Sequence, residues 1–133
     1  MPKKIVLDTN FLFIPARYNV DVFSEIEKIC DFGYDICIID KSIEEINKII
    51  NKSRGRTKQE AELAFKLISS KNPKVLKSSG NSQGKSVDEI ILSSADENTI
   101  VATQDKELKQ RLLKKGVSVI VLRQKRHLKI IKA

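Results

Sequence analysis

Short apolar runs alternate with segments of helical periodicity along this chain, and the alternation restricts the folds that it can adopt. The runs are too uniformly apolar for half-exposed strands, so they indicate strands buried on both faces of a sheet. Strands alternating with helices are typical of a parallel sheet built from βαβ units, here in one domain, 1–133. Strands are predicted over residues 4–7, 36–39, 75–76, 100–102 and 117–122, and helices over residues 20–32, 41–51, 59–69, 86–95 and 106–115.

Four carboxylates stand just after a predicted strand or in the first turns of a helix: Asp8, Glu45, Asp88 and Asp105. In an open α/β sheet these positions lie along one edge, at the carboxyl ends of the strands, where ligands bind. Acidic groups gathered in one crevice repel one another and raise each other's pKa values unless a cation lies among them. The pattern therefore predicts an acidic site that holds a cation.

Each of these acids also has an ordinary interpretation. Asp88 and Asp105 are placed like common acidic residues at helix starts, where the helix dipole favours an ionised carboxylate. Asp8 fits a turn, and Glu45 fits a solvated helix face. The order of the four acids along the chain, each at the same kind of position, favours one shared site over four unrelated ones.

The chain carries a net charge of +8, from 25 Lys and Arg residues against 17 Asp and Glu residues. Because four of the acids belong to the candidate site, the rest of the surface is more basic still, which favours a polyanionic partner. Nucleic acid suits this surface better than a membrane does, since no segment joins a basic face to a sustained apolar one. A generally basic proteome is the plain alternative explanation.

Membrane insertion, secretion and zinc binding by cysteines are disfavoured. The apolar runs are far shorter than the ~20 residues of a membrane span, and the start Met-Pro-Lys-Lys lacks an apolar signal core. A cytoplasmic protein is therefore expected. Cys30 and Cys37 are the only cysteines, and they are expected to be reduced core residues because no second pair completes a zinc site.

Three stretches rich in basic or small polar residues fall outside the apolar pattern. Residues 52–58 are predicted to form a mobile loop, and residues 77–85 the most flexible segment. Residues 123–133 form a basic C-terminal tail whose apolar residues from Leu128 onward indicate a last pairing or docking segment. The candidate nucleic-acid contacts are Arg54, Arg56, Lys58, Lys85, Arg123, Lys125 and Arg126, with solvated loops as the alternative.

The candidate site residues lie in motifs that resemble those of the PIN-domain ribonucleases. The motifs are Asp-Thr-Asn at 8–10, Glu45 at a helix start, Val-Asp-Glu-Ile-Ile at 87–91 and Ala-Thr-Gln-Asp-Lys-Glu-Leu at 102–108. The resemblance spans residues 4–126. Phe-Leu-Phe-Ile-Pro at 11–15 and the basic ending at 119–126 resemble more narrowly an archaeal single-domain branch, related to VapC-type toxins and to small-subunit rRNA-processing endonucleases.

The resemblance implies a three-layer α/β/α PIN-like fold with a central, mostly parallel sheet of about five strands. It implies that Asp8, Asp88 and Asp105 bind Mg²⁺ or Mn²⁺ and that Glu45 orients water or a second ion. All-oxygen ligation suits these hard cations rather than zinc. The RNA products implied carry 5′-phosphate and 3′-hydroxyl ends, and the implied assembly is a homodimer.

Asn10 and Thr103 match supporting polar residues of the family, which are expected to hold two of the carboxylates in place. One position departs from the family pattern. Some relatives carry paired aspartates where this chain has Asp88 and Glu89. Because Ser86 and Glu89 have capping-box spacing, Glu89 is expected to cap its helix rather than join the site.

Other chemistries fit the residues less well. Residues 80–86 resemble a phosphate-binding P-loop, but three residues separate the two glycines where that motif requires four. His127, the only histidine, lies in the basic tail and gives little support to a serine or cysteine triad. A haloacid-dehalogenase-like phosphatase usually has a second aspartate at the position of Asn10. Tyr18, Phe11 and Phe13 are candidates for base stacking, although core packing is the commoner role.

These features together predict a Mg²⁺- or Mn²⁺-dependent endoribonuclease that acts on an RNA substrate. Two biological settings remain open: a toxin restrained by an antitoxin protein, or rRNA processing in a pre-ribosomal particle. The alternative from a different class is a non-catalytic RNA-binding or ribosome-assembly factor that keeps the fold. The intact set of four acids argues against this alternative.

Overall fold

Strands and helices alternate along the chain in the computed structural model, which describes residues 2–78 and 84–133. The strands are β1 (Lys3–Leu7), β2 (Tyr34–Ile39), β3 (Lys74–Leu76), β4 (Thr99–Ala102), β5 (Ser118–Arg123) and β6 (His127–Ile131). The helices are α1 (Ile14–Tyr18), α2 (Val22–Ile29), α3 (Asp40–Lys52), α4 (Gly55–Lys71), α5 (Val87–Ser94) and α6 (Lys106–Lys114), and a short 3₁₀ helix, Thr9–Phe13, precedes α1.

The strands form one sheet in the order β3-β2-β1-β4-β5-β6. The chain builds outward from β1 to β2 and β3, then crosses back so that β4 pairs with the other side of β1. All of these pairs and β4–β5 are parallel, and only β6 is antiparallel to its neighbour. The expected mostly parallel sheet is confirmed, with six strands rather than about five.

Two apolar cores, one on each face of the sheet, explain the uniformly apolar strands. Ile5 and Leu7 face a core that the 3₁₀ helix and α1–α4 complete, whereas Val6 between them faces a core completed by α5 and α6. Successive side chains of a strand point to opposite faces, so a strand covered on both sides is apolar at every position. The three-layer α/β/α architecture is therefore confirmed.

The predicted mobile loop over residues 52–58 is wrong. Helix α3 continues to Lys52, and α4 begins at Gly55, so only Ser53 and Arg54 separate the two helices. The first turns of α4 are exposed, which is why they lack the apolar periodicity that marks a helix. Gly55 has a backbone φ of +64°, a conformation that glycine adopts easily and that suits the sharp turn into α4.

Two other boundaries also differ from the prediction. Helix α2 ends at Ile29 with Cys30 as its C-cap, three residues before the predicted end at residue 32. Within the predicted basic tail, residues 123–133, strand β6 pairs with β5 across a turn at Gln124 and Lys125. The expected pairing segment is therefore a sixth strand of the sheet.

The aromatic residues after β1 divide between core and surface. Phe11 and Phe13 are buried, as expected for core residues, whereas Tyr18 is partly exposed. Both cysteines are free, with Cys37 buried and Cys30 half-buried. Among the described residues, no helix combines the length and the apolar character needed to cross a membrane. The predicted flexible segment 77–85 and the P-loop-like run fall largely on residues 79–83, outside the described residues.

Candidate active site

The carboxyl ends of β1 and β4 lie at the point where the strand order of the sheet reverses. The chain leaves β1 toward one half of the sheet and leaves β4 toward the other half, so the connections diverge and open a crevice. Asp8 directly follows β1, and Thr103 directly follows β4. The sheet therefore delivers these two residues to the same crevice.

Asp8 is fixed across the junction of β1 and β4, and only 3% of it is exposed. Its Oδ1 accepts a hydrogen bond from the backbone N–H of Thr9 at 2.9 Å, and its Oδ2 accepts one from the Thr103 hydroxyl at 2.8 Å. The pKa of Asp8 is raised from 3.8 to about 6, chiefly because burial disfavours the charged form. The Thr103 hydrogen bond opposes this shift, while repulsion from Asp88 and Asp105 adds to it.

Thr103 connects Asp8 to the start of α6. Its Oγ1 also accepts a hydrogen bond from the backbone N–H of Asp105 at 3.1 Å. Asp105 is the N-cap of α6, where its Oδ1 accepts from the backbone N–H of Leu108 at 3.0 Å. The ordinary capping interpretation of Asp105 is thus observed, and it coexists with a place in the crevice because the carboxylate has a second oxygen.

Helix α3 brings Glu45 to the crevice through a buried hydroxyl pair. The Thr9 and Ser42 hydroxyl oxygens are 2.8 Å apart, and Ser42 is fully buried. Glu45 follows Ser42 by three residues and so lies on the same face of α3. Its pKa is raised, first by burial and then by the negative charge of Asp88, while a hydrogen bond with the Thr9 side chain opposes the shift.

Helix α5 leads into β4 and runs in the opposite direction to that strand. Its first turn therefore lies near the carboxyl end of β4, at the crevice. Asp88 lies in its first turn. Burial and then the negative charge of Asp105 raise the pKa of Asp88, whereas a hydrogen bond with Asp8 lowers it. Because the negative charge of Asp88 in turn raises the pKa of Asp8, the protonation of each carboxyl group affects that of the other.

Glu89, the neighbour of Asp88, is engaged as a helix cap. The Ser86 hydroxyl accepts a hydrogen bond from the Glu89 backbone N–H at 3.2 Å and donates one to Glu89 Oε1 at 3.3 Å. Glu89 is exposed and is absent from the lining of the crevice. Its geometry fits the expected capping role.

Asp8, Glu45, Asp88 and Asp105, named the acidic quartet from here on, line one open cavity of about 350 Å³. They come from four different elements or connections, which only the fold brings together. Within that part of the lining which the structure describes, the other residues are Thr9, Asn10, Phe13, Arg17, Ser86 and Val87. The cavity is thus strongly acidic, and Arg17 is the cation in its described wall.

Asn10 lines the cavity but does not hold a carboxylate in the way that was expected. Its Oδ1 accepts a hydrogen bond from the Gln104 backbone N–H at 3.4 Å, and its carbonyl oxygen accepts one from Gln104 Nε2 at 3.2 Å. Asn10 therefore ties the loop after β1 to the loop after β4. Thr103 makes the expected contacts with Asp8 and Asp105.

The seven basic residues selected from the sequence are all exposed. Arg56 lines a cavity between α1 and α4 that Arg17 also lines, so this cavity adjoins the acidic one. Arg123 and Lys125 line another cavity together with Thr103 and Gln104, on the β5 side of the site. Arg54, Lys58, Lys85 and Arg126 are exposed at the surface.

Sequence reasoning missed Ser42 and Arg17. Ser42 stands out only as a small polar residue on the apolar face of α3, three positions before Glu45, and that spacing is the signal that it shares a face with the acid. Arg17 offered no signal, because it lies in a helix of five residues, α1, that was not predicted.

The donor set fits a hard divalent cation, although the side chains are not already arranged around one. Among the described residues, no three or more Asp, Glu, His or Cys side chains form a ready metal-binding group. The cavity nevertheless offers only oxygen ligands from its four acids, without histidine or cysteine. Burial chiefly raises the pKa of Asp8 and repulsion from Asp88 and Asp105 adds to it, and a bound cation would offset both effects.

Replacing Thr103 with valine is expected to raise the pKa of Asp8 above its value of about 6, because a hydrogen bond that favours the carboxylate is lost. Valine keeps the shape of the buried side chain. The matched control is Thr99→Val at the other end of β4, where the hydroxyl donates to Asp96 at 3.1 Å. Carbon-detected NMR titration of the aspartate carboxyl groups measures the effect. An unchanged Asp8 pKa in Thr103→Val would contradict this account of the site.

Comparison with known proteins agrees with the fold. A family model described as a PIN-like domain matches residues 5–125. Over 129 residues, the chain is 34% identical to Ribonuclease VapC4 of Methanocaldococcus jannaschii, covering 96% of this chain and 95% of that protein.

Solved structures share the architecture at lower sequence identity. The PIN domain endonuclease Utp24 superimposes with a TM-score of 0.81 at 21% identity, covering 99% of this chain and 93% of that one. A domain of a functionally unknown protein from Methanocaldococcus jannaschii superimposes with a TM-score of 0.58 at 22% identity, covering 91% of each chain. At these identities the two superpositions establish similarity of fold alone.

Proposed function

The chain belongs to the PIN-like domain family, and from that premise we propose that it is a divalent-metal-dependent endoribonuclease. The observation that carries the proposal is the gathering of the acidic quartet in one cavity at the strand-order reversal of the sheet. The 34% identity with Ribonuclease VapC4 over nearly the whole of both chains supports RNA as the substrate. The net charge of +8 supports a polyanionic substrate independently.

Asp8, Asp88 and Asp105 would hold a Mg²⁺ or Mn²⁺ ion. When bound, such an ion lowers the pKa of a water molecule and neutralises charge on the scissile phosphate. Thr103 orients Oδ2 of Asp8 and, by accepting from the Asp105 backbone, fixes the start of α6. Residues that fix ligand orientation in this way usually contribute about 10–100-fold to metal affinity or activity.

Glu45 is suited to a different task in the proposed reaction. Its raised pKa brings the carboxylate closer to the range in which a group takes up a proton from water. The side chain lines the same cavity as the three aspartates. We assign to Glu45 the orientation of the attacking water or of a second ion.

The candidate RNA contacts lie on two sides of the acidic quartet. Arg56 lines the cavity on the α1–α4 side, whereas Arg123 and Lys125 line the cavity on the β5 side. Cations on both sides suit a polyanion that passes over the carboxylates, because phosphate contacts position the strand. The other four, Arg54, Lys58, Lys85 and Arg126, are proposed to add long-range attraction.

The test of the proposed activity compares two adjacent acids on α5. Purified wild type, Asp88→Asn and Glu89→Gln are incubated with a structured RNA in Mn²⁺, in Mg²⁺ or in EDTA, and the product ends are identified. We expect metal-dependent cuts with 5′-phosphate and 3′-hydroxyl ends for wild type and Glu89→Gln, and none for Asp88→Asn. Each variant removes one negative charge from the same helix turn, so general electrostatics is controlled.

Two results would contradict the proposal. Equal cleavage by Asp88→Asn would mean that the acidic quartet does not carry the reaction. Absence of cleavage by a folded wild type that binds RNA would favour the non-catalytic RNA-binding or assembly factor.

Two biological settings follow from the proposal. A VapC-type toxin restrained by an antitoxin protein would arrest growth when expressed alone and be relieved by that partner. An rRNA-processing enzyme would instead be recovered with a pre-ribosomal particle, and its loss would lead to accumulation of precursor RNA. In either setting the proposed assembly is a homodimer, which the molecular mass in solution would test.

A further inference from the structure

Arg17 is the cation in the described wall of the acidic cavity, and nothing in the proposed reaction yet uses it. It lies on α1, which directly follows the 3₁₀ helix that Asp8 caps and that contains Asn10. A phosphate that approaches four carboxylates meets strong repulsion unless cations compensate for it. A cation built into the wall therefore has an effect on RNA binding that distant surface lysines do not have.

The guanidinium of Arg17 is held from two directions. Its Nε–H donates to Oε1 of Glu60 on α4 at 3.3 Å, and its Cζ lies 5.2 Å from the centroid of the Phe13 ring. Phe13 is a core residue with 5% of its surface exposed. Stacking on a fixed ring and pairing with a carboxylate limit the positions open to the side chain, so the charge is preorganised at the cavity wall.

The part of Arg17 that recognises phosphate is left unused by these contacts. A guanidinium has five N–H donors, and only Nε–H is engaged with a described residue. The two terminal amino groups form the fork that binds phosphate oxygens in a bidentate manner. A side chain serving only to tie α1 to α4 would gain most by presenting that fork to Glu60, whereas here a single bond through Nε holds the pair.

Arg17 also lines the neighbouring cavity between α1 and α4, of about 540 Å³. Arg56, Gln59 and Glu60 lie on the α4 wall of that cavity, and Glu60 is the acidic residue in its described lining. The guanidinium therefore stands where the acidic cavity meets a groove with two cations. An RNA strand that leaves the acidic quartet on this side would pass Arg17 first and Arg56 next.

We propose that Arg17 is a positioning residue that binds the phosphate next to the scissile one and directs the RNA along the groove between α1 and α4. The inference rests on the proposed endoribonuclease function and adds to it the side on which the strand leaves the acidic quartet. Phe13 and Glu60 hold the guanidinium in place, and Arg56 offers a second cation further along the groove.

The test compares Arg17→Gln and Arg17→Lys with the charge-matched control Lys132→Gln. Lys132 is exposed and lies beside the amino ends of β1 and β4, at the opposite edge of the sheet. Binding of a fluorescein-labelled, mixed-sequence RNA oligonucleotide is measured by anisotropy over a range of salt concentrations, in the cleavage-deficient Asp88→Asn background. Cleavage of the same RNA with Mn²⁺ is measured in the otherwise wild-type protein, and thermal melts report folding.

Arg17→Gln is expected to weaken RNA binding about tenfold or more, the usual loss for a charge-assisted phosphate contact. The slope of log affinity against log salt should fall by about 0.7 for a single-stranded RNA. KM should rise more than kcat falls. Arg17→Lys should keep the salt slope, because it keeps the charge, while losing part of the affinity. Lys132→Gln should bind and cleave RNA as the corresponding protein without this substitution does.

Each contrary result overturns the inference in a distinguishable way. RNA binding and KM unchanged in Arg17→Gln, with active wild type, would leave the endoribonuclease standing and remove Arg17 from it. A fall in kcat that merely follows a lower melting temperature, with unchanged KM and salt slope, would make Arg17 a structural residue only. Failure of the wild type to bind or cleave RNA would overturn the proposed function and this inference together.

Discussion

Asp8→Asn is expected to abolish RNA cleavage while raising the melting temperature of the metal-free protein at neutral pH. The loss of activity should exceed about 10²-fold, because even residues that only orient a metal ligand contribute 10–100-fold. The gain in stability arises because Asp8 is buried beside two other acids. Asparagine removes that charge while its oxygen still accepts from Thr9 and its amide group faces the Thr103 oxygen.

The pH dependence of this gain has a definite sign. The folded-state pKa of Asp8, about 6, lies above its ordinary value of 3.8, so protonation favours the folded state. This contribution is fully present below about pH 4 and is lost as the pH rises through about 6. Asp8→Asn escapes the loss, so near neutral pH it should be more stable by on the order of 1–3 kcal/mol, with little advantage at pH 4.

Thermal melts in EDTA between about pH 4 and pH 8 measure this difference. The control is Asp96→Asn, because the pKa of Asp96 is lowered, first by the hydrogen bond from the Asn98 backbone and then by the one from Thr99. Neutralising Asp96 should therefore lower stability at neutral pH or leave it unchanged. A metal-free Asp8→Asn protein that melts below wild type at neutral pH would contradict the electrostatic account.

Mn²⁺ or Mg²⁺ is expected to stabilise the wild type strongly at neutral pH and hardly at all near pH 4. A ligand that binds only the folded state adds about 2.7 kcal/mol at a concentration one hundred times its Kd. Protons compete for the same carboxylate oxygens, and the raised pKa of Asp8 places that competition near pH 6 rather than pH 4.

Melts with the metal chloride, compared with sodium chloride at equal ionic strength, separate binding from charge screening. Glu89→Gln should keep the stabilisation, since Glu89 is engaged with Ser86 and not with the cavity. Asp8→Asn should lose most of it. An equal metal effect at acid and neutral pH, or an undiminished effect in Asp8→Asn, would place the metal away from the acidic quartet.

The strands and the acidic positions were predictable because their signals are local. A strand buried on both faces must be apolar throughout, as in residues 5–7 and 100–102, and the acids stand at fixed offsets from such runs. The order of the strands then sets which acids meet. No local pattern in the sequence encodes that order, β3-β2-β1-β4-β5-β6, which is seen only in the folded sheet.

The missed features depend on contacts between distant parts of the chain. The start of α4 is exposed and basic, so its helical state rests on packing of later turns against α3 rather than on its own pattern. The β5–β6 turn has φ of +55° and +56° at Gln124 and Lys125, where Asn-Gly would have been the recognisable signal. The Thr9–Ser42 pair joins residues that the chain separates by 33 positions.

The position of the metal ion tests the central claim most directly. Crystals grown with Mn²⁺ would be measured for anomalous scattering, with wild type and Asp8→Asn compared under the same conditions. The account predicts a strong anomalous peak in wild type at about 2.0–2.2 Å from oxygens of Asp8, Asp88 and Asp105, and its loss in Asp8→Asn. A peak elsewhere, or RNA cleavage that persists in EDTA with no metal in the cavity, would contradict it.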